Sequence, residues 1–213
     1  MTTLVIATRN KHKVTEIQSI LGDDFQCLTL NEFPGAPEVI EDGASFSANA
    51  EKKARSLAEW LESERRIDGE TEFVLADDSG LEVDALNNAP GVHSARYAAL
   101  ISGNSGNSSD ADNNARLLRE LANVEDGKRT GRFRCVLALV SCADLSRATR
   151  FFEGVCEGHI EREPHGAAGF GYDPLFIPDG YAQSFAELGE EVKNGMSHRA
   201  RALEGLKSFF NRG

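Results

Sequence analysis

The chain has little that would tie it to a membrane, a zinc cage or nucleic acid. Its four cysteines, Cys27, Cys135, Cys142 and Cys156, form no C-x-x-C pair and have few histidines near them. That spacing argues against zinc patterns and a disulfide framework, and it fits free thiols in a reducing cytosol. No apolar run approaches the length a membrane span needs. Met1-Thr2-Thr3-Leu4 places no basic stretch ahead of an apolar one, so no secretion signal is read and a cytoplasmic protein is expected. Lys and Arg number 23 against 34 Asp and Glu, a formal net charge of −11. Duplex binding needs clustered cations, so nucleic acid is a poor partner class. A small polyphosphate is not excluded, because a few local cations and a metal ion suffice for it.

What is present reads as one α/β domain over residues 1–213, since 213 residues with 40% hydrophobic content bury a real core. Leu4-Val5-Ile6-Ala7 is a short apolar run and predicts a buried strand. Val14, Ile17 and Leu21 then recur at helical spacing, and Gly22 predicts the stop. Phe46, Ala50, Ala54, Leu57 and Leu61 mark a longer helix, followed by a charged connector over residues 65–72. Residues 73–76 and the alternating 81–85 predict two strands. Residues 102–112 read as a polar mobile loop before a helix carrying Leu117, Leu118 and Leu121. Residues 133–140 and 149–155 predict paired strands, 166–171 a glycine-rich loop, and Ser197 a cap on a last helix. Strands and helices without strict alternation predict a mixed sheet with flanking helices.

The most informative segment is Ala76-Asp77-Asp78-Ser79-Gly80, directly behind an apolar run. Two adjacent carboxylates at the exit of a buried strand are costly unless they hold a cation, make strong hydrogen bonds or sit in a wet cleft. An acidic turn closed by Gly80 is the plainer reading. Around it stand other candidates. Thr8, Arg9, Asn10, Lys11, His12 and Lys13 join the first strand to the first helix, either as a basic capped helix start or as a phosphate site where free N–H groups and a positive dipole end serve the anion. Asn49 and Lys53 fall at the edge of the second helix's apolar stripe, as a snorkelling lysine or as the wall of a phosphate cleft. Glu41 belongs to an acidic cluster that, with Asp77 and Asp78, offers oxygen ligands to Mg²⁺. Phe170, Gly171, Tyr172 and Asp173 pair aromatics with glycine, either a structural turn or a stacking platform. Lys193, His198 and Arg199 place cations at and before a helix start, as surface charges or facing an anionic or carbonyl-bearing partner.

Taken together, these segments resemble the inosine triphosphate pyrophosphatase family, the dITP/XTP pyrophosphatases. The resemblance is carried by Thr8, Asn10 and Lys13, by Glu41, by Asn49-Ala50 with Lys53-Ala54, by Ala76 to Leu81, by Pro90 to Tyr97, by Gly169 to Pro174, and by Lys193 with Ser197 to Arg199. It runs from Leu4 to about Leu206 and departs at Arg9, where many members carry a small residue, and over residues 62–72. It implies a twisted mixed sheet in two lobes with a central cleft, a Mg²⁺-dependent homodimer, and hydrolysis of ITP, dITP and XTP to the monophosphate and pyrophosphate. Asp78 is then expected as the base, with Glu41, Asp77 and Asp78 at the metal. Thr8, Asn10, Lys13 and Lys53 are expected on the triphosphate, and Ser79 beside it. Phe170 to Asp173, Lys193, His198 and Arg199 are expected around the nucleoside, with His198 or Arg199 donating to a 6-oxo group. A Maf-like pyrophosphatase of other base preference and a non-catalytic nucleotide-binding module are the alternatives.

Overall fold

Three uninterrupted apolar residues, Leu4, Val5 and Ile6, complete β1 (Thr2–Ile6). The computed structural model describes residues 2–64, 73–102 and 106–212. After β1 come α1 (Lys11–Leu21), β2 (Phe25–Thr29), α2 (Phe46–Ser63), β3 (Phe73–Val83) and β4 (Ala89–Pro90). Then follow α3 (Ala99–Ser102), α4 (Asp110–Glu120), β5 (Thr130–Ser141), β6 (Arg150–Ile160), β7 (Phe176–Pro178), α5 (Phe185–Met196) and α6 (His198–Phe210). The expected connector at 65–72 lies outside the described residues, as do residues 103–105 of the polar loop.

The strands form one mixed sheet in the order β2-β1-β3-β5-β6-β7, with β4 on β3. β1 is parallel to both β2 and β3, whereas β3–β4 and β6–β7 are antiparallel. The expected mixed sheet with flanking helices is therefore what the chain forms. Two compact units are distinguished along it. One holds Met1–Asp78, Cys135–Gly154 and Arg199–Gly213; the other holds Ser79–Arg134 and Val155–His198.

In the first unit the two-residue period of a strand sorts side chains into two layers. Val5, Val74, Ala76, Ala138 and Val140 pack with Ala50, Ala54, Leu57 and Leu61 of α2. Leu4, Ile6, Leu75, Leu137 and Leu139 pack with Ile17 and Leu21 of α1 and Leu203 and Leu206 of α6. Asn10 caps α1, accepting from the His12 and Lys13 N–H groups, and Gly22 ends it. Ser45 caps α2. The second unit has its own core of Leu81, Val83, Leu117, Leu121, Phe133, Phe176 and Phe185. There Arg129 is buried and donates to the Ile160, Leu121 and Glu161 carbonyls.

Two expectations need correcting, and two further elements emerge. Residues 73–76 and 81–85 are not two strands around an acidic turn. One strand, β3, runs from Phe73 to Val83 and carries Asp77 and Asp78 in its interior. Asp110 and Asp112 belong to α4 and not to the polar loop, because Ser109 supplies the cap. Residues 185–196, left without an element, form α5 behind a capping box of Ser184 and Glu187. Likewise Phe25–Thr29 forms an unforeseen strand beside β1.

Candidate active site

Because β3 continues through the acidic pair, its alternation turns the two carboxylates to opposite faces. Asp77 follows Phe73 and Leu75 onto the α1 and α6 side. Asp78 follows Val74 and Ala76 onto the α2 side. The neighbourhoods then differ in charge.

On the first face, Asp77 is fully buried and both its oxygens are engaged. Lys13 Nζ donates to Oδ1 at 2.5 Å. Arg199 Nε donates to Oδ2 at 2.9 Å, and the Cys135 thiol to the same oxygen at 3.2 Å. Arg199 also donates through Nη1 to Glu16, a buried residue one turn beyond Lys13 on α1. Two cations and two carboxylates sum to zero. Burial acts to raise the Asp77 carboxyl, but Arg199 and Lys13 outweigh it and hold it well below the ordinary carboxylate range. The same environment pushes the Cys135 thiol well up, by burial first and by Asp77 second.

On the second face, Asn49 Nδ2 donates to Asp78 Oδ2 at 3.2 Å. Lys53 Nζ donates to Asp78 Oδ1 at 3.0 Å, to Glu41 Oε1 at 2.6 Å and to the Asp77 carbonyl at 2.8 Å. The Gly43 N–H donates to Asn49 Oδ1 at 2.8 Å, so the loop bearing Glu41 is pinned to α2. Two carboxylates share one ammonium, and the local sum is −1. Burial is the largest influence on Asp78 and raises it. Lys53 and Lys13 oppose that, Glu41 reinforces it, and the carboxyl ends above its ordinary value. Burial acts to lower Lys53, yet Asp78 and Glu41 outweigh it and the ammonium is held charged.

These sums test the expected metal set. Mg²⁺ is usually bound through one or two carboxylates with waters and substrate phosphates, not by an all-protein cage. Among the described residues no group of three or more His, Cys, Asp or Glu side chains is gathered for a metal ion. Glu41 and Asp78, already sharing one cation and carrying excess negative charge, fit a hard divalent ion. Asp77 does not, because the two cations Lys13 and Arg199 already cancel its charge and that of Glu16. Its expected place at the metal is corrected to that of a counter-ion.

Around this cluster the first-helix residues fall as expected in position but not all in role. Asn10 N–H donates to Thr8 Oγ1 at 3.2 Å. Two of the N–H groups expected to meet a phosphate, those of His12 and Lys13, are spent on Asn10 Oδ1 instead. Arg9 reaches the Ala36 carbonyl at 3.0 Å. Lys11 and His12 are exposed. Arg199, expected to read a base, has two nitrogens committed to Asp77 and Glu16. Its guanidinium is buried among the chain's own carboxylates, so a base-reading role does not fit it. Glu16 was missed; on α1 it has the look of any helical glutamate.

The second unit holds the other expected group. Asp173 is buried, and its Oδ2 accepts from Lys193 Nζ at 2.6 Å and from the Phe170 N–H at 2.9 Å. Lys193 Nζ also lies 4.7 Å from the centre of the Phe170 ring. The Tyr172 hydroxyl donates to the Ser94 carbonyl at 2.9 Å. His198 is buried and stacks on Phe133, with centroids 4.8 Å apart and planes at 13°. It is not the surface cation that its place at the start of α6 allowed. Ser79 is half-buried on β3. Gly169 has φ +77°, and a Cβ there would stand 2.2 Å from Asp173 Oδ2. Gly169→Ala is therefore expected to force Asp173 off Lys193 and to cost about 1–3 kcal/mol. A thermal melt checks this, and an unchanged Tm would contradict it.

The Ham1 family profile matches residues 4–209. A dITP/XTP pyrophosphatase of Shouchella clausii is 46% identical over 207 residues, covering 97% of this chain and 96% of that protein. A dITP/XTP pyrophosphatase of Geobacter sulfurreducens is 50% identical over 208 residues, again covering 97% and 96%. A solved HAM1 protein from Coxiella burnetii has a TM-score of 0.83 at 38% identity, covering 100% of both chains. The resemblance carried by the motifs is thus matched along nearly the whole length, and the chain belongs to the Ham1 family.

Proposed function

We propose that the protein is a nucleoside triphosphate pyrophosphatase that converts dITP, ITP and XTP to the monophosphate and pyrophosphate. The observation that carries this reading is the Asp78 cluster, a buried carboxylate held by Asn49 and Lys53 and bridged by Lys53 to Glu41, with burial raising its pKa above the ordinary value. A carboxylate so raised is a better base than a free aspartate. Identity of 46–50% over 97% of the chain with relatives named dITP/XTP pyrophosphatase supports the choice of substrate.

In this reading Asp78 orients a water toward the α-phosphorus and takes its proton. Asn49 and Lys53 hold that carboxylate in place. Lys53 and Lys13 lend positive charge to the triphosphate, with Thr8 and Asn10 shaping the loop beneath it. Mg²⁺, held by Glu41 and Asp78, would neutralise phosphate oxygens and the departing pyrophosphate. Phe170 stacks on the purine, while Lys193, Asp173 and His198 support that surface. A donor that meets a 6-oxo group is left opposing the 6-amino donor of adenine, and such buried mismatches discriminate strongly. Arg199 is not that donor here, which leaves His198 and Lys193 as the candidates. The same reading carries a cytoplasmic homodimer.

The test is a panel of nucleotides with Mg²⁺. dITP and XTP are expected to yield monophosphate and pyrophosphate much faster than ATP or GTP. Release of single phosphates would overturn the reading. Preference for a pyrimidine would favour a Maf-like enzyme, and affinity without turnover a binding module.

A further inference from the structure

The polar stretch 102–112 found no place in the chemistry, yet its far end touches the nucleoside loop. α4 grips one residue of that loop at two points. The Gly171 N–H donates to Asp110 Oδ2 at 2.7 Å, and Asn114 Nδ2 donates to the Gly171 carbonyl at 3.0 Å. Asp110 and Asn114 are four apart on α4 and so share one face. The N–H belongs to the peptide plane before Gly171 and the carbonyl to the plane after it. Holding both from one rigid helix fixes the two torsions between them. Gly171 has φ +64°, a region where glycine has unusual freedom, so these are the loop's least self-determined torsions. They set the direction of Phe170 relative to Tyr172, which the Ser94 carbonyl anchors separately.

Two features set this apart from ordinary packing. Asp110 is exposed, and a carboxylate at a helix start is satisfied by its own helix. It nevertheless reaches a residue 61 positions away. Asn114 is buried, and its Oδ1 has no hydrogen-bond partner among the described residues. An unmet buried acceptor is a cost that a leucine at this position would avoid. What the amide supplies in return is the bond to Gly171.

We propose that Asp110 and Asn114 are positioning residues for purine recognition, setting the pose of Phe170 through Gly171. The proposal rests on the pyrophosphatase reading above. It is tested by KM and kcat for dITP, with dGTP as the rejected purine, in the wild type and in Asp110→Ala, Asp110→Asn and Asn114→Leu. Asp110→Ala and Asn114→Leu are expected to raise KM for dITP about tenfold and to narrow the preference over dGTP, with kcat within about twofold. Asp110→Asn keeps an acceptor and is expected to recover part of the loss. Asn114→Leu removes the unmet acceptor, so its Tm is expected not to fall. Unchanged KM and preference in an active protein would overturn the clamp alone, as would kcat and Tm falling together. A wild type inert to every nucleotide of the panel would overturn the pyrophosphatase reading and the clamp with it.

Discussion

Asp78→Asn is expected to lower kcat for dITP by about 10²–10⁴-fold, the usual range for losing a general base. The amide keeps the shape of the side chain but takes no proton and carries no charge for a divalent ion. Its one amide oxygen can keep Lys53 or Asn49, which Asp78 meets on separate oxygens, and Lys13 remains on its counter-ion, so the nucleotide should still bind. The measurement is steady-state pyrophosphate release beside nucleotide titration in EDTA. Undiminished turnover would remove Asp78 from the chemistry. The linked stability effect has a definite sign. The folded carboxyl of Asp78 lies above its ordinary value, so its stability contribution is full below the unfolded pKa and is lost as pH rises through the folded one. Above that folded pKa and without metal, the ionised carboxylate is a burden on the fold.

Asp77→Asn is expected to act on stability first. It leaves a buried Arg199 with one carboxylate where it had two, and takes from Lys13 the charge of the carboxylate it meets. Breaking a buried ion pair from one side typically costs about 3–5 kcal/mol. For a chain of this size that corresponds to a Tm lower by about 6–20 °C. Asp78→Asn should shift Tm far less, because burial works against the charge of that carboxyl and the amide removes it. Equal shifts from the two variants would refute the division of roles. The pH dependence also runs the other way. The folded Asp77 carboxyl is depressed, so its contribution is full above the unfolded value near 3.8 and is lost as pH falls through the folded one. Melting in EDTA between neutral pH and about pH 3 should show the wild type losing stability that Asp77→Asn never had.

Much of this was legible in the residues, and the failures have physical causes. β1 and α1 follow from an apolar run, a helical repeat and Gly22, all of them local signals. Asp-Asp-Ser-Gly reads as a turn because those residue types favour turns. Cations arriving on both faces of β3, from Lys13 and Arg199 and from Lys53, make a strand tolerable there, and sequence propensity contains no trace of them. α5 was readable from Ser184 and Glu187, but Gly189, with φ +79°, interrupts its pattern. Arg199 and Lys193 were found as charges without their partners. Glu16 and Asp173 lie 183 and 20 residues from the cations they meet, and only the fold supplies such pairings.

The placing of Asp77 and Asp78 on opposite faces of β3 makes the site sensitive to arithmetic rather than to composition. One residue inserted between Phe73 and Asp77 would exchange counter-ion and base while leaving every side chain in the inventory. Two would restore the faces and displace the pair along the strand. Loop lengths around this segment do not enter that register, whereas within it the chain admits no odd-numbered change.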